Sequence, residues 1–439
     1  MAAVQPIKRI HSQTAATTHH QTLSKMSRLL LASAWATGAL AQTFTNPVLF
    51  QDLADADIFR VNDTFYYSAS NMHFSPGAPL LRSYDLVNWE YFTHTVPVLD
   101  FNPRGDYDLD GSNAYNDGIY ASFINYHEGL DTWFWGGCIT GDWKTYIYTS
   151  PTAEGPWEQK SVINSCYYDS GLFIDDDGTM YVVFLTGWNT FSVYIAQLTA
   201  DGLGEVERRV VWENNFPDEI GYAEGFKLYK REEYYYILAV RPQTGNIILR
   251  SENLWGPYEW KWLVNDAGKL LPGFTDPKQG GFVELDDGRW YHLTFIDGYP
   301  GGRIPAVAPV DWSEDGWPTV HLINGKWSAN EYEYPLPPHP VKTVVGTDTF
   351  SEVGPQFEWN HNPDNSAWSI TDGGLELKTA TVTDDFFAAK NTLSHRILGP
   401  SSTVTIELDY SQLADGDRAG LVLFDVSTST TSLLSLPGH

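Results

Sequence analysis

The sequence predicts an all-β protein, a five-bladed β-propeller followed by a second, incomplete all-β module. Three observations predict it. Five segments repeat one hairpin pattern at intervals of 49 to 66 residues, a second hairpin recurs between them, and no amphipathic helix of useful length interrupts either series. The first hairpins are Ile58 to Ser68, Ile119 to Gly136, Gly171 to Leu185, Gly225 to Val240 and Gly281 to Ile296, turning at Asn62, Glu128, Asp177, Arg231 and Asp287. The second hairpins are Pro79 to Tyr91, Thr145 to Trp157, Val193 to Trp212, Ile247 to Trp260 and Ala306 to Val320. Each runs strand, polar turn, aromatic-bearing strand. Four strands per period, five times over, fit a propeller across residues 43 to 340. An ordinary β-sandwich is the alternative, and it leaves the joint recurrence of two hairpin phases to coincidence.

Before the propeller comes an extension, residues 1 to 41, with no acidic side chain; the first in the chain is Asp52. Lys25 and Arg28 precede an apolar block, Leu29 to Leu40, too short to span a bilayer and closed by Ala39-Leu40-Ala41 before Gln42. That pattern reads as a secretory signal cleaved after Ala41, so a secreted, extracellular protein is expected; the compact block fits this better than an Arg-rich transit peptide. Residues 1 to 25 lie upstream of a second possible start at Met26. Asn62-Asp63-Thr64 is a glycosylation acceptor in keeping with secretion. The two cysteines, Cys138 and Cys166, either pair in that oxidising route or sit as buried thiols.

After the propeller, Tyr334-Pro335-Leu336-Pro337-Pro338-His339-Pro340 is too rich in proline for a central strand and reads as a linker. Beyond it, residues 345 to 439 hold alternating segments such as Leu375 to Thr379 and Thr403 to Asp409. About ninety residues is short for a two-sheet module, so an incomplete sheet is expected.

Composition narrows the ligand. A net charge of −28 repels phosphate backbones and anionic lipid, which argues against nucleic-acid and membrane partners. Aromatic residues make up 15% of the chain, and an acidic, aromatic-rich surface suits a neutral ligand with hydroxyls and apolar ring faces, such as a sugar.

In a propeller the innermost strands line a channel, so equivalent positions of successive repeats converge at one mouth. Counting back seven or eight residues from each turn gives Asp55, Tyr120, Asp169, Glu224 and Gln279. A lone acid before a strand usually satisfies loose amides in water. Three at equivalent positions raise one another's pKa, a shift that glycoside hydrolysis uses: one carboxyl stays protonated to donate to the leaving oxygen while another is ionised. Tyr120 and Gln279 offer hydrogen bonds or a ring face.

At these residues the chain resembles glycoside hydrolase family 43, whose members are five-bladed propellers acting on xylan and arabinan side chains. Ala54-Asp55-Ala56-Asp57-Ile58-Phe59-Arg60-Val61 is similar to the family's base segment, which implies Asp55 as general base, with Ala56 where a proline is common. Tyr168-Asp169-Ser170-Gly171 resembles the segment whose Asp orients the acid and tunes its pKa, a role implied for Asp169. Ala223-Glu224-Gly225 with Tyr229-Lys230 resembles the general-acid segment and implies Glu224 as proton donor. Asn71-Met72-His73-Phe74-Ser75-Pro76-Gly77 and Gly302-Arg303 resemble a pocket loop and a pocket arginine, adding His73, Phe74 and Arg303 to Tyr120 and Gln279 as implied substrate-binding residues. Lys278 stands where many members have His, and Tyr120 where many have Trp. A lysine there is unfavourable beside a metal, so no cofactor is expected and a channel calcium is disfavoured. Phe357-Glu358-Trp359-Asn360-His361-Asn362-Pro363-Asp364 resembles the start of the concanavalin-like sandwich attached to xylan-active members.

Two further patterns have plainer readings. Asp106, Asp108, Asp110, Gly111 and Asp117 match an EF-hand-like spacing, but the flanks lack helical periodicity and a solvated loop is expected. Trp89, Trp157, Trp212, Trp260 and Trp317 fall in outer strands, where they are expected to pack blades. The resemblance implies an exo-acting, inverting glycosidase releasing terminal arabinofuranose or xylose from a polysaccharide or oligosaccharide, with the Asp55 and Glu224 carboxyls roughly 6.5 to 9.5 Å apart. A lectin-like propeller that binds sugar without cleaving it is the alternative.

Overall fold

The computed structural model describes residues 42–186, 192–213, 221–242, 244–298, 301–423 and 432–433. The signal reading on residues 1 to 41 falls outside the described residues. Five four-stranded antiparallel sheets follow one another, each built from contiguous chain. Blade one is β1 (Asp57–Val61), β2 (Thr64–Ser68) and, past the two-residue β3 (Phe74–Ser75), β4 (Gly77–Ser83) and β5 (Trp89–Val96). A short helix, α1 (Arg104–Tyr107), leads to blade two: β6 (Gly118–His127), β7 (Thr132–Thr140), β8 (Lys144–Ser150) and β9 (Glu158–Ile163). Blade three is β10 (Tyr168–Ile174), β11 (Met180–Leu185), β12 (Val193–Leu198) and β13 (Glu205–Trp212). Blade four is β14 (Glu224–Arg231), β15 (Tyr234–Arg241), β16 (Gly245–Ser251) and β17 (Glu259–Asn265). Blade five is β18 (Lys278–Glu284), β19 (Trp290–Asp297), β20 (Arg303–Trp312) and β21 (Pro318–Val320). The inner strands β1, β6, β10, β14 and β18 each touch the next, and β18 touches β1, so the ring closes. The fold is the propeller the repeats predict.

Burial follows position in the blade. Middle strands such as β11 and β15, rich in aromatic and β-branched residues, are buried along most of their length, whereas the outer β9 and β13 face water. Blades meet through large apolar side chains. Trp133 packs edge-on against Tyr66 and Phe59 of blade one, with ring centroids 4.8 and 5.7 Å away. Trp135 is fully buried, and truncating such a side chain to alanine costs about 3–5 kcal/mol. The outer tryptophans pack as expected: Trp89 Nε1 donates to the Leu86 carbonyl, Trp157 Nε1 to that of Ala153, and the Arg250 guanidinium lies 4.2 Å from the Trp317 ring centroid. A disulfide joins Cys138 on β7 to Cys166 just before β10, with Cα atoms 4.9 Å apart.

The C-terminal module adds β22 (Phe357–Asn360), β23 (Trp368–Thr371), β24 (Gly374–Leu377), β25 (Leu393–His395), β26 (Val422–Leu423) and β27 (Ser432–Leu433). β22 lies between β25 and β3, so the module completes a three-stranded sheet with the propeller's own loop. Thr403 to Asp409, expected as a strand from its alternation, is not one. Alternation needs a neighbouring strand to take the backbone groups, and this segment is exposed with none beside it among the described residues. Around α1, Asp108 accepts from Arg104 and Asn362, and Asp106 from Ser112, so two of the EF-hand-like acids face protein partners. No cluster of three or more His, Cys, Asp or Glu side chains among the described residues could hold a metal ion.

Candidate active site

The site forms where the inner strands begin. In β6, β10, β14 and β18 the pairing register jumps over two residues: Tyr120-Ala121, Asp169-Ser170, Gly225-Phe226 and Gln279-Gly280. Such bulges re-aim side chains at a strand's end. Asp169, Gly225 and Gln279 adopt positive φ of 51°, 67° and 55°, and Asp55, at the approach to β1, has 58°. This corrects the equivalence read from turn spacing. Asp55, Asp169 and Gln279 share a phase with Gly225, while Glu224 stands one residue earlier, level with Tyr168 and Lys278. The tight position in blade four takes glycine because a Cβ there would lie 2.7 Å from the Gln279 side chain.

The three carboxylates are nevertheless brought together electrostatically. Asp55 accepts from the Ser70 hydroxyl at 2.6 Å and from Arg303 Nη1 at 2.5 Å. Asp169 accepts from the Gly225 backbone N–H at 3.1 Å. Burial pushes the Asp169 carboxyl well above the usual range, and the charges of Glu224 and Asp55 push it further. Glu224 is raised by burial and then by Asp55, with Arg303 and Lys278 opposing. Each carboxyl thus lies within electrostatic reach of the others and of one guanidinium. Lys278 pairs with Asp297 at 2.6 Å.

The implied substrate residues divide. Arg303 is in the cluster through Asp55. Tyr120 lies near it, its hydroxyl donating to the Asn116 carbonyl at 2.7 Å and its pKa raised by burial, then by Asp117 and Asp55. The buried Gln279 has a side-chain nitrogen, Nε2, with no hydrogen-bond partner among the described residues. His73 is more deeply buried, at 1% exposed. It stacks on Phe74 and His361, and burial drops its pKa to about 3. Phe74 is half-buried on β3, paired with Asn360 of β22. Both serve the contact between propeller and C-terminal module.

Several participants escaped the sequence reading. Ser70 holds the second oxygen of Asp55. Tyr168 and Tyr222 flank the acids, each with its pKa raised first by burial and then by neighbouring carboxylates. Below them Lys227 crosses the channel, its ammonium 3.0 Å from Asp57 and donating to the Ser170 carbonyl at 2.7 Å and that of Ser122 at 3.3 Å. This pair ties β1, β6, β10 and β14 and stands between the carboxylates and a cavity of about 820 Å³ lined by the far halves of the inner strands. Tyr222 and Lys227 lie two residues before and three after Glu224, and Ser70 immediately precedes the pocket-loop motif. Proximity to a motif was the available signal.

Comparison with known proteins places the chain in a family. The family model described as glycosyl hydrolases family 43 matches residues 44–318, and that of the beta xylosidase C-terminal concanavalin A-like domain matches residues 347–435. A beta-xylosidase of Formosa agariphila is 30% identical over 87% of this chain and 73% of its own. A non-reducing end alpha-L-arabinofuranosidase of Bacteroides ovatus is 29% identical over 90% and 76%. Among solved structures, a family 43 glycoside hydrolase engineered for both endo-xylanase and exo-arabinofuranosidase activity superposes with a TM-score of 0.75 at 41% identity, covering 82% of this chain and 70% of the other.

Proposed function

The chain belongs to glycosyl hydrolase family 43 and is a glycosidase; on that premise we propose that it releases terminal pentose, xylose or arabinofuranose, from xylan-type chains with inversion at the anomeric carbon. The beta-xylosidase and arabinofuranosidase relatives support the substrate class. Asp55 is the base: held by Arg303 and Ser70, it draws a proton from the attacking water. Glu224 is the acid, donating its proton to the leaving oxygen as the bond to the anomeric carbon breaks. Asp169, buried beside it, helps keep that proton in place. Tyr120, Gln279 and Arg303 face the sugar.

The observation that carries this reading is the electrostatic asymmetry of the site. The guanidinium bonds directly to Asp55, while burial and the Asp55 charge raise Glu224. Secretion is part of the same proposal, supported by the apolar block ending at Ala41 and by the Cys138–Cys166 disulfide.

Glu224→Gln provides the test, assayed on xylo-oligosaccharides and on nitrophenyl xylopyranoside and arabinofuranoside. Loss of the acid is expected to lower kcat on the oligosaccharide by about 10²–10⁴-fold, and by less on nitrophenyl glycosides, whose leaving group needs little protonation. Proton NMR of the first-formed sugar should show the anomer opposite to the substrate's. Unchanged turnover in the variant sinks the acid assignment, and a retained anomer sinks inversion.

A further inference from the structure

The C-terminal module reaches the catalytic strand start through a strap, residues 396–399. The Arg396 carbonyl accepts from Gln51 Nε2 at 3.0 Å, and Gly399 N–H donates to the Phe50 carbonyl at 2.8 Å. Gln51 is fixed from its other side by the Tyr91 hydroxyl at 3.1 Å. The Arg396 side chain is itself largely buried, its Nη1 3.1 Å from Glu358 Oε1, which also meets Asn71 Nδ2 at 3.1 Å and His94 Nε2 at 3.2 Å.

The held segment leads directly into the site. Asp52 Oδ1 accepts from the Arg303 backbone N–H at 2.8 Å, and Leu53 N–H donates to the Arg303 carbonyl at 2.8 Å. The Arg303 backbone is therefore gripped at both its polar groups by the two residues after Gln51, while its guanidinium grips Asp55 two residues beyond them. The approach is close: a Cβ on Gly302 would fall 2.3 Å from the Asp52 carboxyl carbon. Around Arg396 the acidic groups are Glu358 and Asp52, with Tyr91 beside them, so the buried cation has its counter-charges in place.

We propose that Arg396 is a positioning residue for the reaction: its strap fixes residues 50–52, these fix the backbone of Arg303, and Arg303 aims Asp55. A shift of about 1 Å at a reacting group costs on the order of 10²-fold in rate, so the strap's effect belongs in kcat. The inference rests on Asp55 acting in the reaction.

The experiment compares Arg396→Met and Arg396→Lys with Asn362→Ala in the full chain. Asn362 also docks the module, but through Ser75, Leu99 and Asp108 rather than through residues 50–52. Arg396→Met is expected to lose about 10–100-fold in kcat with KM changed less than about threefold, Arg396→Lys to recover part of that loss, and Asn362→Ala to keep kcat within about twofold. A folded Arg396→Met with full kcat overturns the proposal, as does an equal loss in Asn362→Ala, which assigns the effect to docking in general. Should Arg396→Met fail to fold, Asp52→Ala at an accessible side chain interrupts the same route: a tenfold or greater fall in kcat supports it, and an unchanged kcat overturns it. Asp55→Asn separates the two levels. An active Asp55→Asn overturns the role of Asp55, whereas an inactive one beside a fully active Arg396→Met overturns only the strap.

Discussion

Asp169 carries a stability consequence of its own. Its carboxyl is raised well above 3.8, first by burial and then by Glu224 and Asp55. The folded chain thus keeps a proton that the unfolded chain releases, and folding stability falls as pH rises from about 3.8 through the folded-state value. Asp169→Asn removes the titration while the amide oxygen can still accept the Gly225 N–H. The variant is expected to lose less Tm than the parent across that window and to be more stable at neutral pH, with kcat lowered by about 10²-fold under the role proposed above for Asp169 in aiming Glu224. Thermal melts at several pH values, set beside initial rates, check both halves. A parallel pH dependence in the two proteins contradicts the assigned shift.

At the scale of elements, the bulge at each strand start decides where the chemistry points. Gly225→Ala would place a Cβ at φ +67° and 2.7 Å from Gln279 Cγ. Left-handed strain and the contact together should cost about 1–3 kcal/mol in denaturant unfolding and displace Glu224, lowering kcat as well. Unaltered stability and rate contradict the claim that the bulge is tight. The hairpins were legible because period-two strands and polar turns recur. The bulges were not, since a positive φ at an aspartate or glutamine leaves no mark on spacing. That is why turn counting found Asp55, Asp169 and Glu224 yet placed Glu224 one position out of phase. The contact of His73 with His361, 288 residues away in the chain, is likewise one that no local pattern reveals.

For the whole molecule, closure of the ring turns five separate strand starts into one electrostatic unit. The sequence carried the ring through its repeats and the acids through their spacing. The cross-links that hold the unit, Lys227 across the channel and the strap from Arg396, depend on three-dimensional proximity and were invisible to it. The failed strand at Thr403 to Asp409 makes the converse point, since alternation without a neighbour forms no sheet. The most direct test of that unity is a ¹³C-carboxyl NMR titration of Glu224, identified by its disappearance in Glu224→Gln, in the parent protein and in Asp55→Asn. Coupled carboxylates predict that Glu224 titrates above the ordinary glutamate value of 4.5 and moves down when the Asp55 charge is removed. A Glu224 that titrates at its ordinary value, or that ignores Asp55→Asn, contradicts the account.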